Sequence, residues 1–143
     1  NYRVKNLCNY LNEKMLNIKN KHDEKIHEIK GTGVLNGIVF KSFSTNMSKL
    51  LEKIPVKLIN DKSFFLKKLT ATAVSCELYE KHNILTAIND SSHSQHLCIS
   101  PALIVSNDEI DHFFSCLDSV LTKGVSLRSL EIITDFIKSK IIK

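Results

Sequence analysis

Ser100-Pro101-Ala102-Leu103-Ile104-Val105-Ser106-Asn107-Asp108-Glu109-Ile110-Asp111 brings a short apolar run against a strong helix start. Ser106 with Glu109 three residues later fits a capping box, the serine oxygen accepting from a backbone N–H and the glutamate reaching back to the cap residue's own N–H. Asp108 places negative charge in the first turn, where the helix dipole favours it. Ile110, Phe113, Phe114, Leu117, Val120 and Leu121 then follow at helical spacing, and Gly124 stands where a C-cap is expected. The stretch reads as a strand entering a helix, with Pro101 at the joint.

Working back towards the amino terminus, Gln95 to Ile99 is the strand that leads into this joint, Asn89 to Ser94 a polar turn, and Ile84 to Ile88 its partner strand. Phe64 to Lys81 carries Phe65, Leu69, Ala73 and Cys76 on one helical line and Leu66, Thr70, Val74 and Leu78 on the next, a face broad enough to cover a sheet. Asn83 ends that helix, since asparagine tolerates the left-handed conformation. Residues 41–63 have weak patterning and read as an insertion or loop, with turn-forming Asn60-Asp61 near its end. Lys25 to Lys30 and Val34 to Phe40 form two strands around Gly31-Thr32-Gly33. Tyr2 to about Lys21 is an amphipathic helix through Val4, Leu7, Cys8, Leu11, Met15 and Ile18. Beyond Gly124, a last helix begins near Ser126 with Leu127, Leu130, Ile133, Ile137 and Ile141 on its apolar stripe. The expected fold class is α+β, a small antiparallel or mixed sheet covered by helices, in one domain spanning residues 1–143.

Composition narrows the function classes. The chain has 143 residues, enough for one core. Its net charge of +5 comes from 18 lysines against 2 arginines, Arg3 and Arg128, scattered among 15 acids. Nucleic-acid readers favour arginine forks gathered on one face, so no nucleic-acid partner is expected. Nor is a membrane partner, because no run reaches the roughly 18 apolar residues a span requires. With no signal-peptide layout, the expected location is cytoplasmic. The chain opens on Asn1 rather than methionine, which suggests part of a longer polypeptide.

Self-sufficient catalytic groupings are missing from the sequence. Gly31, Gly33 and Gly37 do not open a helix after a strand, as a dinucleotide fingerprint requires, and read as turn and packing glycines. Cys8, Cys76, Cys98 and Cys116 have no C-x-x-C spacing and suit reduced, buried thiols. His93, His96 and Cys98 are close in sequence, but no second ligand pair completes a zinc pattern, so no metal is expected. Asp108, Glu109 and Asp111 are explained by helix capping and solvation. His82 and His96 are candidate general bases without an identifiable partner.

Three blocks taken together resemble the carboxy-terminal small domain of class III pyridoxal-phosphate aminotransferases, the fold-type I family of ornithine, acetylornithine and 4-aminobutyrate aminotransferases. Ile29-Lys30-Gly31-Thr32-Gly33-Val34-Leu35-Asn36-Gly37 is similar to the family's Arg-Gly-x-Gly-Leu block, with Lys30 in the arginine's place. Tyr79 to Thr86 is similar to its helix ending in Gly-(Ile/Val)-Leu. Cys98-Ile99-Ser100-Pro101-Ala102-Leu103-Ile104 is similar to its Arg-x-x-Pro-Pro-Leu-(Val/Ile) block, and the resemblance covers roughly residues 1 to 124.

The resemblance implies a two-domain, homodimeric, cytoplasmic enzyme that moves an amino group between an amine or amino acid and an oxo acid on pyridoxal 5'-phosphate. The Schiff-base lysine and the cofactor's phosphate cradle belong to the large domain. This chain therefore carries no catalytic or cofactor-binding residue, is inactive alone, and serves to close the active site. The one substrate-binding position that falls here is Cys98, where several members carry an arginine that forks onto the substrate's α-carboxylate. A cysteine cannot make that pair, so the substrate lacks that carboxylate, another group binds it, or this copy has diverged. The alternative to the whole enzyme reading is a non-catalytic α+β interaction or assembly module.

Overall fold

The computed structural model describes residues 2–41, 52, 62–90 and 95–141, so the insertion expected over residues 41–63 falls almost wholly outside them. The elements are α1 (Tyr2–Lys21), β1 (Ile26–Thr32), β2 (Leu35–Phe40), α2 (Lys62–His82), β3 (Ala87–Asp90), β4 (Gln95–Ile99), α3 (Asn107–Lys123) and α4 (Ser126–Ile141). The four strands form one antiparallel sheet in the order β1-β2-β4-β3, so the expected α+β class holds and the sheet is the antiparallel alternative.

Register decides which side chains share a face. Ile29, Ile38, Leu97 and Ile88 stand opposite one another across the four strands. They join a core with Leu11 and Met15 of α1, Val74 and Leu78 of α2, and Leu117 and Val120 of α3. Because side chains alternate between faces along a strand, the flanking row Lys30, Gly37, Cys98 and Ala87 points away from that core. The β1–β2 turn depends on Gly31 at φ 113° and Gly33 at φ 64°. At Gly31 a Cβ would stand 2.0 Å from the carbonyl oxygen of Leu35, so the hairpin excludes any side chain there.

Polar ties fasten the helices to the sheet and to each other. The Thr72 hydroxyl of α2 donates to Gln95 Oε1 at 3.3 Å, Ser75 and Thr86 hydroxyls lie 2.8 Å apart, and Lys68 pairs with Asp90. Asp111 of α3 accepts from Tyr10 and Lys14 of α1, each at 2.7 Å. This contact holds the Asp111 carboxyl below the usual carboxylate range, Lys14 contributing most, and raises the Tyr10 phenol. Arg128 of α4 reaches Glu77 and Glu80 of α2 as well as its own Glu131, fixing the last helix against α2.

Two expectations need correction. The strand expected over Ile84 to Ile88 begins at Ala87 and runs to Asp90. The cause is the end of α2: Asn83 is left-handed at φ 56°, its N–H donates to Tyr79 O and the Ile84 N–H donates to Leu78 O, so the chain is still closing the helix where the sequence already looks like a strand. Leu127, placed on the apolar stripe of α4, is exposed, whereas Leu130, Ile133 and Ile137 face α2 with Phe65 and Leu69. Position 127 lies in the first turn of α4, outside that stripe.

Candidate functional site

The candidate site is the place where β4 ends. Cys98 is its penultimate residue, half-buried, paired with Gly37 of β2 on one side and Ala87 of β3 on the other. Lys30 stands opposite Gly37 on β1, so it shares a row with Cys98 two strands away, on the order of 10 Å at the usual strand spacing. Its ammonium pairs with Glu28 at 3.0 Å. Lys30 and Cys98 are thus brought to one row of one sheet face.

Gly37 lies between them, and the His96 ring occupies the space beside it: a Cβ at position 37 would come within 2.5 Å of His96 Cδ2. His96 and Cys98 share this face, two residues apart on β4. Among the described residues, the buried Nδ1 atom of His96 has no hydrogen-bond partner. His93, the remaining member of the possible metal cluster, lies outside the described residues. Among the described residues no three His, Cys, Asp or Glu side chains are grouped to hold a metal ion.

After Ile99 the chain runs through Ser100 and Pro101 to a turn closed by the Val105 N–H donating to Ala102 O. It then enters α3 at Ser106, whose φ and ψ of −84° and 160° are those of a cap residue. The capping box expected from the sequence is present in full. The Glu109 N–H donates to Ser106 Oγ at 3.2 Å, while Glu109 Oε2 accepts from the Ser106 N–H and hydroxyl, each at 2.8 Å. Those two donors, the backbone one foremost, hold the Glu109 carboxyl below the usual range and keep it ionised. Gly124 closes the far end at φ 77°, its N–H donating to Val120 O.

Between this connection, the 84–86 segment and α3 is a cavity of about 200 Å³. Thr86, Cys98, Ser100 and Glu109 are among its lining residues, and most of the others are aliphatic or aromatic. Around the same end of the domain several large apolar side chains are exposed, among them Leu85 at 84% and Ile104 at 80%. Cys98 and Glu109 both line this cavity; the sequence marks Glu109 only as part of the capping box of α3, which already accounts for it locally. Its place in the cavity wall depends on how α3 packs against α1 and α2.

A pyridoxal-phosphate site would need a lysine for the cofactor's aldehyde and a set of donors for its phosphate. The cavity beside Cys98 has no lysine or arginine among its described walls. A separate cavity of about 330 Å³ does contain Lys25 and Lys41, but Lys25 already donates to Leu121 O and pairs with Glu24 at 3.5 Å. The described residues do not fit the cofactor, and no chemical step of this chain is derived through it. The helices are also unsuited to a bilayer, none being long and apolar enough to cross one among the described residues.

No family model matches the chain, and no curated protein matches it in sequence. Solved structures do match in fold. A transaminase from the marine bacterium Virgibacillus superposes with a TM-score of 0.59 at 17% identity, over 85% of this chain and 24% of its own. The ornithine aminotransferase of Plasmodium yoelii gives 0.51 at 14% identity, over 82% of this chain and 24% of its own. The ornithine δ-aminotransferase of Plasmodium falciparum gives 0.50 at 14% identity with the same two coverages. The chain therefore has a fold found within transaminases and spans about a quarter of their length.

Proposed function

We propose that this chain is the carboxy-terminal small domain of a class III, fold-type I aminotransferase. The complete enzyme carries pyridoxal 5'-phosphate on a large domain outside this sequence and transfers an amino group between an amine or amino acid and an oxo acid. The observation that carries the reading is the paired coverage, 85% of this chain on 24% of a transaminase, joined to the three sequence blocks that fall on β1–β2, the end of α2 and the end of β4. In this reading the exposed apolar end around Leu85 and Ile104 docks against the large domain, and the Cys98 row closes the active site from one side. The cofactor supplies the amino-group chemistry when bound there, whereas this chain shapes the substrate pocket and excludes water. It is inactive alone, and the intact enzyme is a cytoplasmic homodimer.

The test begins with the mass of the native product in its source. A polypeptide roughly four times this length that transfers amino groups supports the reading. Borohydride reduction of this chain with pyridoxal phosphate should label no single lysine. Stoichiometric capture on one lysine would overturn the assignment of the cofactor to the large domain.

The second reading is a non-catalytic interaction module, favoured by the same exposed leucine and isoleucine side chains. A mature product of about this length, with no larger parent, would select it.

A further inference from the structure

We infer that Asn36-Gly37 is a latent modification site: the fold keeps the Asn36 amide intact, opening of the β1–β2 hairpin exposes it to deamidation, and the products do not fit back into the hairpin. The inference is independent of the aminotransferase reading, because it rests on the chemistry of one dipeptide and the strands that hold it.

Asn36 is the one asparagine of the sequence that precedes a glycine. With no side chain at position 37, little hinders the Gly37 backbone nitrogen from attacking the side-chain carbonyl carbon of Asn36 once the chain is free to turn. The new N–Cγ bond closes a five-membered imide while the Cγ–Nδ2 bond breaks. The amide nitrogen leaves as ammonia, taking the proton that the Gly37 N–H gives up. Water then opens the imide at one carbonyl or the other and leaves aspartate or isoaspartate.

The closed hairpin opposes each part of this step. β2 is a central strand, with Gly37 paired to Lys30 of β1 and to Cys98 of β4, so the attacking N–H lies within the sheet's ladders. Ring closure also needs ψ of Asn36 to leave the strand region, which the extended backbone of β2 prevents. The leaving amide is held as well: Asn36 Nδ2 donates to Gly33 O at 2.9 Å, and the residue is 8% exposed. The same surroundings exclude the products. Aspartate at position 36 sets a carboxylate against the Gly33 carbonyl, acceptor against acceptor, where water has little access. Isoaspartate carries the main chain through Cβ, which lengthens β2 by one atom and upsets the alternation that sends Ile38 and Phe40 into the core.

The test incubates the full chain in mildly alkaline buffer, with and without denaturing urea, and follows the peptide carrying Asn36 by mass spectrometry, reading the exchange of amide nitrogen for oxygen as a mass gain. Deamidation is slow beside the closing of a hairpin, so its native rate tracks the open population. In urea Asn36 should convert faster than every other asparagine, and in native buffer it should convert more slowly by about tenfold or more. Val34→Gly, which removes a partly buried side chain from the turn, should raise the native rate several-fold and leave the urea rate unchanged. Two further variants read the products. Asn36→Ala loses the bond to Gly33 O without gaining a charge, so Asn36→Asp should strip more hydrogen-exchange protection from the β1–β2 amides than Asn36→Ala does. Acidification should narrow that difference, because a protonated carboxyl can donate to Gly33 O again. Equal rates in buffer and in urea, another asparagine outpacing Asn36 in urea, or an Asn36→Asp hairpin as well protected as the native one overturns the inference.

Discussion

His22 Nε2 lies 2.6 Å from Asp118 Oδ1, and the other oxygen of that carboxylate takes the Lys21 ammonium at the same distance, so one side chain of α3 ties down the end of α1. The histidine is 4% exposed, and its carbonyl accepts from the N–H groups of Lys25 and Ile26, which turn the chain into β1. The clasp therefore joins helix packing to the entry of the first strand. Asp118→Ala leaves the buried imidazole without its partner and should cost about 1–3 kcal/mol in urea unfolding at neutral pH.

The same carboxylate sets a pH dependence. Lys21 first and His22 second hold Asp118 below the ordinary carboxylate range. A group with a lowered folded pKa contributes stability above its unfolded pKa and loses it as pH falls through the folded value. The difference in stability between the native chain and Asp118→Asn should therefore shrink as pH falls from about 5 to below about 4. Urea midpoints measured across that range check it. A difference that grows as pH falls from about 5 to below about 4 would contradict the assignment.

Gly37 and Gly31 predict unequal penalties for the same added methyl. At Gly37 the nearest obstacle is the His96 ring, whose atoms would lie 2.5 to 3.3 Å from the new Cβ, and a ring can swing aside. At Gly31 the obstacle is the Leu35 backbone, and φ is 113° besides. Gly37→Ala should cost about 1–3 kcal/mol, and Gly31→Ala should cost more. In a double-mutant cycle His96→Ala should recover most of the Gly37 penalty and none of the Gly31 penalty.

The contrast between Ser106 and Cys98 shows what a sequence states by itself. The capping box is written within four residues, so Ser106 and Glu109 are legible from residue order alone, as are the glycines of the β1–β2 turn and the left-handed Asn83. The place of Cys98 needs register: only the pairing of Lys30 with Gly37 and of Gly37 with Cys98 brings Lys30 and Cys98 into one row. Residues 84–86 mislead because Ile84-Leu85-Thr86 has strand composition, while the cap bonds from Asn83 and Ile84 back into α2 take precedence over that local preference. Leu127 misleads for a related reason. Helical periodicity fixes a stripe only once the angle of α4 against α2 is known, and Arg128 helps to fix that angle.

Ser106→Ala removes the hydroxyl that accepts from the Glu109 N–H and should lower the melting temperature by several degrees. Ser106→Asp restores an acceptor at the cap and should recover most of the loss, although it places a second negative charge beside Glu109. Hydrogen exchange localises the effect. The first-turn amides of α3 should open first in the alanine variant. Protection lost evenly along α3, with no excess at its first turn, would show that the cap does not act locally.

Arg128 supplies the last prediction. Its Nε donates to Glu77 Oε1 at 3.0 Å, Nη2 pairs with Glu80, and Nη1 lies 2.8 Å from Glu131 Oε2, so three carboxylates on two helices share one guanidinium. The side chain is 18% exposed, which leaves these contacts less screened than an open surface pair. Lysine keeps the charge but presents a single ammonium in place of the planar fork, so it can hold one or two of the three partners at a time. Arg128→Lys should therefore lose about half of what Arg128→Ala loses, the alanine change costing about 1–3 kcal/mol. The loss should be confined to α4: its amides should exchange faster in both variants while those of α1 and α3 keep their protection. If α1 and α3 loosen to the same degree, α4 belongs to the main cooperative unit and not to a separately anchored one.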